Sequence, residues 1–203
     1  MKLILVRHGE TRWNRENRVV GHTGIALNSN GRRQVELLAR KLENDSVSAI
    51  YSSPLRRARQ TAAAIARIHR LRVMNDDAFK EMDAGELEGL TFGEVMERYG
   101  DFFKDWMKGN PSLRMPGGES MIELQQRTWP AVERIVGENT DRVVILVSHS
   151  LAILSIIAGA LGMDPSNFRR LRLGVASISI LNFGDHGASL VLFNDTCHLE
   201  RSG

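Results

Sequence analysis

Two histidines in this chain stand where a histidine can act on a bound ligand. His8 follows the apolar run Leu3-Ile4-Leu5-Val6, in the segment Arg7-His8-Gly9-Glu10-Thr11. His149 follows the most apolar, β-branched run, Arg142 to Val147, in Ser148-His149-Ser150. Arg57 lies just past a third such run, Val47 to Tyr51, in Ser53-Pro54-Leu55-Arg56-Arg57-Ala58. A weak run, Leu71 to Met74, precedes a loop that holds Glu81, Asp83, Glu86 and Glu88. Each group sits at the carboxyl end of a candidate strand or just past it, the edge at which open parallel sheets bind ligands. One polar residue at such a place is as readily a bystander; the whole set on one edge is harder to explain that way.

The residue types suit phosphoryl chemistry. A phosphate monoester dianion repels anionic nucleophiles, whereas a neutral imidazole brings no negative charge. His8 is read as the nucleophile, attacking phosphorus in line to give a phosphohistidine that water then hydrolyses. Charge in the transition state spreads over three equatorial oxygens, so cations must surround them. Arg7 and Arg57 offer forked donors. His149 is read as a further donor in its protonated form. Gly9 leaves room beside the His8 ring. The set requires neither a metal nor a cofactor, and zinc-ligand spacing is absent.

The elements that must position these groups follow from periodicity. A loop rich in Gly, Asn, Arg and Thr runs from Arg7 to Asn28. Asn30-Gly31 leads into a helix to about Glu43, with Val35, Leu38, Ala39 and Leu42 on one face. Ser52-Ser53-Pro54 reads as a serine cap with proline in the first turn, opening a helix to Ile68. Two short helices are expected over Phe92 to Met107, then a flexible stretch from Pro111 to Gly118. A long amphipathic helix spans Glu119 to Val136 and contains Pro130, so a kink is expected near Trp129. A hydrophobic helix covers Leu151 to Leu161. Two β-rich segments around Gly184-Asp185-His186-Gly187 read as a hairpin. The predicted fold is α/β: a three-layer sandwich with a mostly parallel sheet, helices on both faces and a C-terminal antiparallel hairpin. The 203 residues are expected to form a single domain, with a small cap over roughly 91–121.

Composition narrows the function classes. Apolar residues are 42% and charged residues 25%, the usual globular balance. No apolar run approaches the roughly 20 residues of a membrane span, and the N-terminal run is too short for a signal-peptide core. Cys197 is the only cysteine, so no internal disulfide forms and a cytoplasmic location is expected. The net charge is +3, but basic residues are scattered and alternate with acids, without the basic, aromatic-interleaved run of a nucleic-acid binder. No nucleic acid and no membrane partner is expected; the expected ligand is a small phosphorylated metabolite.

Four segments in order resemble the histidine phosphatase family, also called the phosphoglycerate mutase-like superfamily. They are Arg7-His8-Gly9-Glu10-Thr11, Ser53 to Thr61 as Ser-x-Leu-x-Arg-Ala-x-x-Thr, the Glu81 to Gly89 loop, and Ser148-His149. The resemblance covers nearly the whole chain. It implies that Glu81 is the general acid, with Asp83 its rival, and that Asn14, Thr11 and Gly9 join Arg7, Arg57 and His149 around the phosphate. Glu10 is expected to orient Arg7 or a neighbouring backbone group, and Glu88 and Gly89 to be loop structure. His22 and His198 are candidates to touch substrate. Ser150 departs from the glycine common after the second histidine. The basic insertion with paired arginines typical of the mutases is absent, and Ala84 stands where they resemble each other in tyrosine. Both departures favour a phosphatase over a mutase, and the five filled catalytic positions favour it over a non-catalytic phosphate-binding protein. Pro116-Gly117-Gly118-Glu119-Ser120 and the length resemble the α-ribazole phosphatases of cobalamin synthesis. Metal-independent phosphoserine phosphatases and broad-specificity phosphatases are similar as well. Homodimers are common in the family, and the hairpin edge is placed to pair across a two-fold axis.

Overall fold

The computed structural model describes residues 1–200. Its strands are β1 (Lys2–Arg7), β2 (Val47–Ser52), β3 (Val73–Asn75), β4 (Val143–Ser148), β5 (Ile178–Gly184) and β6 (Gly187–Asp195). Its helices are α1 (Arg12–Arg15), α2 (Ser29–Lys41), α3 (Arg56–His69), α4 (Phe92–Met107), α5 (Met121–Glu138) and α6 (Ser150–Ala160). The strands form one sheet in the order β3-β2-β4-β1-β5-β6. β1, β2, β3 and β4 pair in parallel, while β5 runs antiparallel to β1 and turns back as β6.

Strand alternation builds the two cores. Leu3 and Leu5 of β1 join Val144 and Leu146 of β4 in a cluster with α5 and α6. Ile4 and Val6 join Ile145 and Val147 on the opposite face, with α2 and α3. Successive side chains of a strand point to opposite faces, so continuously apolar strands dictate helices on both sides. The result is the three-layer α/β sandwich with its terminal hairpin. A third cluster lies outside the sheet, where Val95 and Trp106 of α4 meet Met82, Met115, Leu124 and Phe168. No helix among the described residues is long and apolar enough to cross a membrane.

Four local expectations need correction. The segment Arg7 to Asn28 contains a helix, α1, opened by a capping box between Thr11 and Asn14; four residues are too few to register as a period. α2 begins at Ser29 and so includes Asn30-Gly31 rather than following them; Asn28 caps it by accepting from the Gly31 N–H. The Ser-Pro signal misplaces α3 by two residues: it begins at Arg56 after Leu55, which has no capping side chain, while the Ser53 hydroxyl accepts from the Leu55 N–H at 3.3 Å and also bonds His149. The stretch before α5 is not loose. The Glu86 N–H bonds the Pro116 carbonyl at 2.8 Å, and a Cβ on Gly118 would come within 2.3 Å of the Asp83 carbonyl. Two chain segments lie backbone to backbone there, which a Pro-Gly-Gly composition does not reveal. The expected pair of helices over Phe92 to Met107 appears as α4 with a break in helical geometry at Tyr99.

Candidate active site

β1 and β4 are neighbours in register, with Arg7 beside Ser148. The next residue of each strand therefore emerges at the same edge, and the His8 and His149 rings lie 5.1 Å apart, centroid to centroid. Both are buried. The His8 Nδ1–H donates to the Gly9 carbonyl at 2.8 Å, so Nε2 carries the lone pair. Arg57 Nε–H sits 3.2 Å from that Nε2 and 3.2 Å from Nδ1 of His149. The other His149 nitrogen bonds the Ser53 hydroxyl at 2.7 Å. Burial first, then the charges of Arg57 and Arg7, push the His8 pKa well below the usual imidazole range. Burial and Arg57 do the same to His149. Both shifts favour neutral rings without a bound anion, and the His149 nitrogen that faces Arg57 accepts from the guanidinium rather than donating.

Arg57 projects from the first turn of α3 and is fully buried. Its terminal nitrogens donate to the carbonyls of Gly21 at 2.7 Å and Thr23 at 3.0 Å. Burial lowers its pKa to about 10, opposed by Glu81 and Glu88, so it remains a cation at neutral pH. One turn along α3, the Thr61 hydroxyl donates to the Arg57 carbonyl and accepts from the Gly9 N–H at 3.2 Å. That single side chain ties the loop after β1 to the helix carrying the arginine. Arg7 donates through one terminal nitrogen to the Leu173 carbonyl, while its Nε is buried with no partner among the described residues.

Glu81 closes the site from the side of α6. Oε1 accepts from the N–H groups of Met82 at 2.9 Å and Ala152 at 3.1 Å, and Oε2 from Leu151 at 3.3 Å. The carboxylate thus rests on the first turn of the helix that follows His149. Its charge raises the pKa of both Arg7 and Arg57 against the effect of burial. The rival Asp83 uses Oδ1 to accept from the Gly85 N–H, within its own loop. Glu88 accepts from the N–H groups of Gly21 and Thr23, steadying the two residues whose carbonyls hold Arg57. His22 reaches the Glu81 carbonyl at 2.8 Å, and the charged neighbours of His198 are Asp195 and Lys41.

The remaining predicted contacts divide. Asn14 lines the cavity beside Arg7, although its Oδ1 accepts from the backbone N–H and hydroxyl of Thr11. Thr11 is fully buried and bonds Asn14 in both directions, so here it holds the loop. Gly9 leaves room for a different neighbour than expected: a Cβ there would meet the Gly31 carbonyl at 2.8 Å and Val35 at 2.9 Å. Glu10 accepts from the Asn28 side chain at 2.6 Å rather than from Arg7. Two residues that bond into the site went unassigned from sequence: Ser53 and Thr61. Both stand in the quoted Ser53 to Thr61 segment, which was the available signal.

A cavity of about 810 Å³ opens at Arg7 and Asn14. Phe102, Phe103, Trp106 and Met115 supply much of its wall, Arg18 and Asn17 stand with its polar residues, and no carboxylate lines it. Among the described residues, no group of three or more His, Cys, Asp or Glu is arranged to hold a metal ion.

Comparison with known proteins agrees with this geometry. The chain is 34% identical over 199 residues to phosphoserine phosphatase 1 of Hydrogenobacter thermophilus, covering 98% of this chain and 94% of that protein. The structure of an Entamoeba histolytica phosphoserine phosphatase mutant in complex with phosphoserine superimposes with a TM-score of 0.89 at 32% identity, covering 98% of this chain and 99% of that one. A putative α-ribazole-5'-P phosphatase of Escherichia coli shares the fold, with a TM-score of 0.88 at 24% identity over 97% of both chains. The profile described as "Histidine phosphatase superfamily (branch 1)" matches residues 3–196. The chain belongs to that superfamily, and to its phosphatases.

Proposed function

We propose that this chain hydrolyses a small phosphate monoester through a phosphohistidine on His8, with arginines rather than a metal supplying the positive charge. The observation that carries this reading is the Arg57 Nε–H shared between the two facing imidazoles. It marks one point that a phosphate oxygen can take over, with the His8 lone pair directed at the same place. The unmatched Arg7 Nε offers a second donor. In the first step the Nε2 lone pair forms the N–P bond, and the P–O bond to the leaving group breaks with its electron pair on oxygen. Glu81, protonated, gives its proton to that oxygen. In the second step water attacks phosphorus, its proton passes to the Glu81 carboxylate, and the N–P electron pair returns to Nε2. A phosphate dianion beside His149 opposes the charge of Arg57, so His149 can take up a proton once substrate is bound.

The cavity supports an apolar or aromatic leaving group, with residues 91–121 as the cap that supplies much of its lining. A volume near 810 Å³ suits a metabolite-sized ligand. An aromatic alcohol portion, such as the base-bearing ribose of α-ribazole 5'-phosphate, finds Phe102, Phe103 and Trp106 there. Phosphoserine is the second reading, favoured by the 34% and 32% identities above. Its ammonium group finds no carboxylate in the lining. The test is phosphate release from a panel that includes α-ribazole 5'-phosphate, phosphoserine and p-nitrophenyl phosphate, in EDTA. We expect turnover in EDTA, with kcat/KM for the aromatic esters at least about tenfold above phosphoserine. Activity lost to EDTA sinks the metal-free reading, and a preference for phosphoserine sinks the apolar-substrate reading.

A further inference from the structure

We propose that Arg127 is a positioning residue for proton transfer by Glu81; this rests on the reading of Glu81 as the acid. Arg127 lies on α5, and all five of its N–H donors have acceptors. Nε and one terminal nitrogen grip Glu119 in a fork, at 2.8 Å each. The terminal nitrogens also donate to the carbonyls of Ala78 at 2.7 Å, Lys80 at 3.0 Å and Glu81 at 2.8 Å. The carbonyl skipped in that series, Phe79, accepts from the Ser148 hydroxyl at 2.8 Å, one residue before His149. Glu119 continues the grip past Glu81: its carboxylate accepts from the Asp83 N–H at 2.9 Å, and its own N–H donates to the Asp83 carbonyl at 3.0 Å.

An ordinary surface ion pair needs only the two charged groups. Here the arginine is committed to the backbone on the approach to Glu81, and its partner to the backbone just beyond. The Glu81 carboxylate turns away from Arg127 onto the first turn of α6. Arg127 therefore acts on where that carboxylate stands and makes no contact with its oxygens. A lysine keeps the charge but cannot reproduce the fork together with three carbonyl bonds.

The test compares kcat/KM for p-nitrophenyl phosphate and phenyl phosphate, which are similar in shape and differ in how much the leaving oxygen needs a proton. For a double-displacement enzyme kcat/KM reports the step that phosphorylates His8, where the acid acts. Glu81→Gln should lower phenyl phosphate turnover about 100-fold more than p-nitrophenyl phosphate turnover. Arg127→Lys should show the same selectivity at about tenfold, and the double variant should be no worse than Glu81→Gln alone. If Glu81→Gln is selective and Arg127→Lys lowers both esters equally, or neither, Arg127 is structural and the proposal is wrong. If Glu81→Gln is not selective, the acid is another group, and the reading on which the proposal rests falls first. Should Arg127→Lys fail to fold, Glu119→Gln carries the same comparison, because it weakens the fork and leaves the carbonyl bonds in place.

Discussion

Arg57 is the residue on which the site turns. Its guanidinium joins two imidazoles to two backbone carbonyls of the 21–24 loop, and it is wholly buried. Arg57→Lys preserves one charge but leaves buried acceptors unmatched, so kcat/KM should fall about 100- to 1000-fold. Steady-state kinetics on p-nitrophenyl phosphate checks this; a loss under fivefold contradicts the role. The depressed pKa of His8 has its own consequence. The nucleophile stays unprotonated below the ordinary imidazole range, so the acid limb of kcat/KM should not be set by an imidazole at about 6.5. It should instead move when the second ionisation of the substrate phosphate is moved, as a comparison of aryl phosphates whose phosphate groups ionise at different pH will show. Arg7, His8, Arg57 and His149 were readable because each ends or follows an apolar run at a single edge, whereas Glu81 was singled out among the acids of its loop only by the family resemblance. The role of Ser53 was only half legible: its hydroxyl accepts from the local Leu55 N–H, as Ser-Pro suggests, but its shorter bond is to His149, 96 residues away. Local signals cannot rank a cap against a distant hydrogen bond. The same limit applies to His149, whose charge depends on Arg57 and on burial, neither of which is a property of its neighbours in sequence.

At the scale of elements, the acid loop owes its shape to backbone contact with the 116–118 segment. Gly85 has φ of +52°, and a Cβ there would lie 2.1 Å from the Pro116 carbonyl. Gly85→Ala must therefore move one of the two segments and accept left-handed strain, a destabilisation of about 2–4 kcal/mol. Urea unfolding followed by tryptophan fluorescence measures it; a change below about 0.5 kcal/mol would show that the two segments separate easily. Because Glu81 sits on the same loop, activity on phenyl phosphate should fall further than on p-nitrophenyl phosphate in the folded fraction. The sheet and its helices were legible from periodicity, since continuous apolar strands and 3.6-residue stripes are strong signals. The clasp between the two loops was not, because glycine and proline announce a turn without saying which other backbone approaches it.

The whole molecule should respond to pH through its buried histidines. His8 and His149 are held neutral when folded, with pKa values well below the ordinary 6.5. Unfolded, both recover ordinary values and bind protons as pH falls below about 6.5. The unfolded state then carries more protons than the folded one, so stability is highest above that pH and declines as pH drops toward the folded-state values. Half-buried His198 is shifted in the same direction and adds a smaller part. Many of the carboxylates with shifted pKa values are exposed, and they act below about pH 4.5, so the window from about 6.5 to 5 belongs to the imidazoles. Urea unfolding across that window should show a slope approaching two protons per molecule in phosphate-free buffer. His149→Asn should remove about half of it. Saturating sulfate, a dianion throughout this window, should flatten it too, since a dianion between the arginines favours a charged imidazole and brings the folded-state pKa of His149 back toward the unfolded one. A slope that sulfate leaves unchanged would mean that the anion does not reach the two rings.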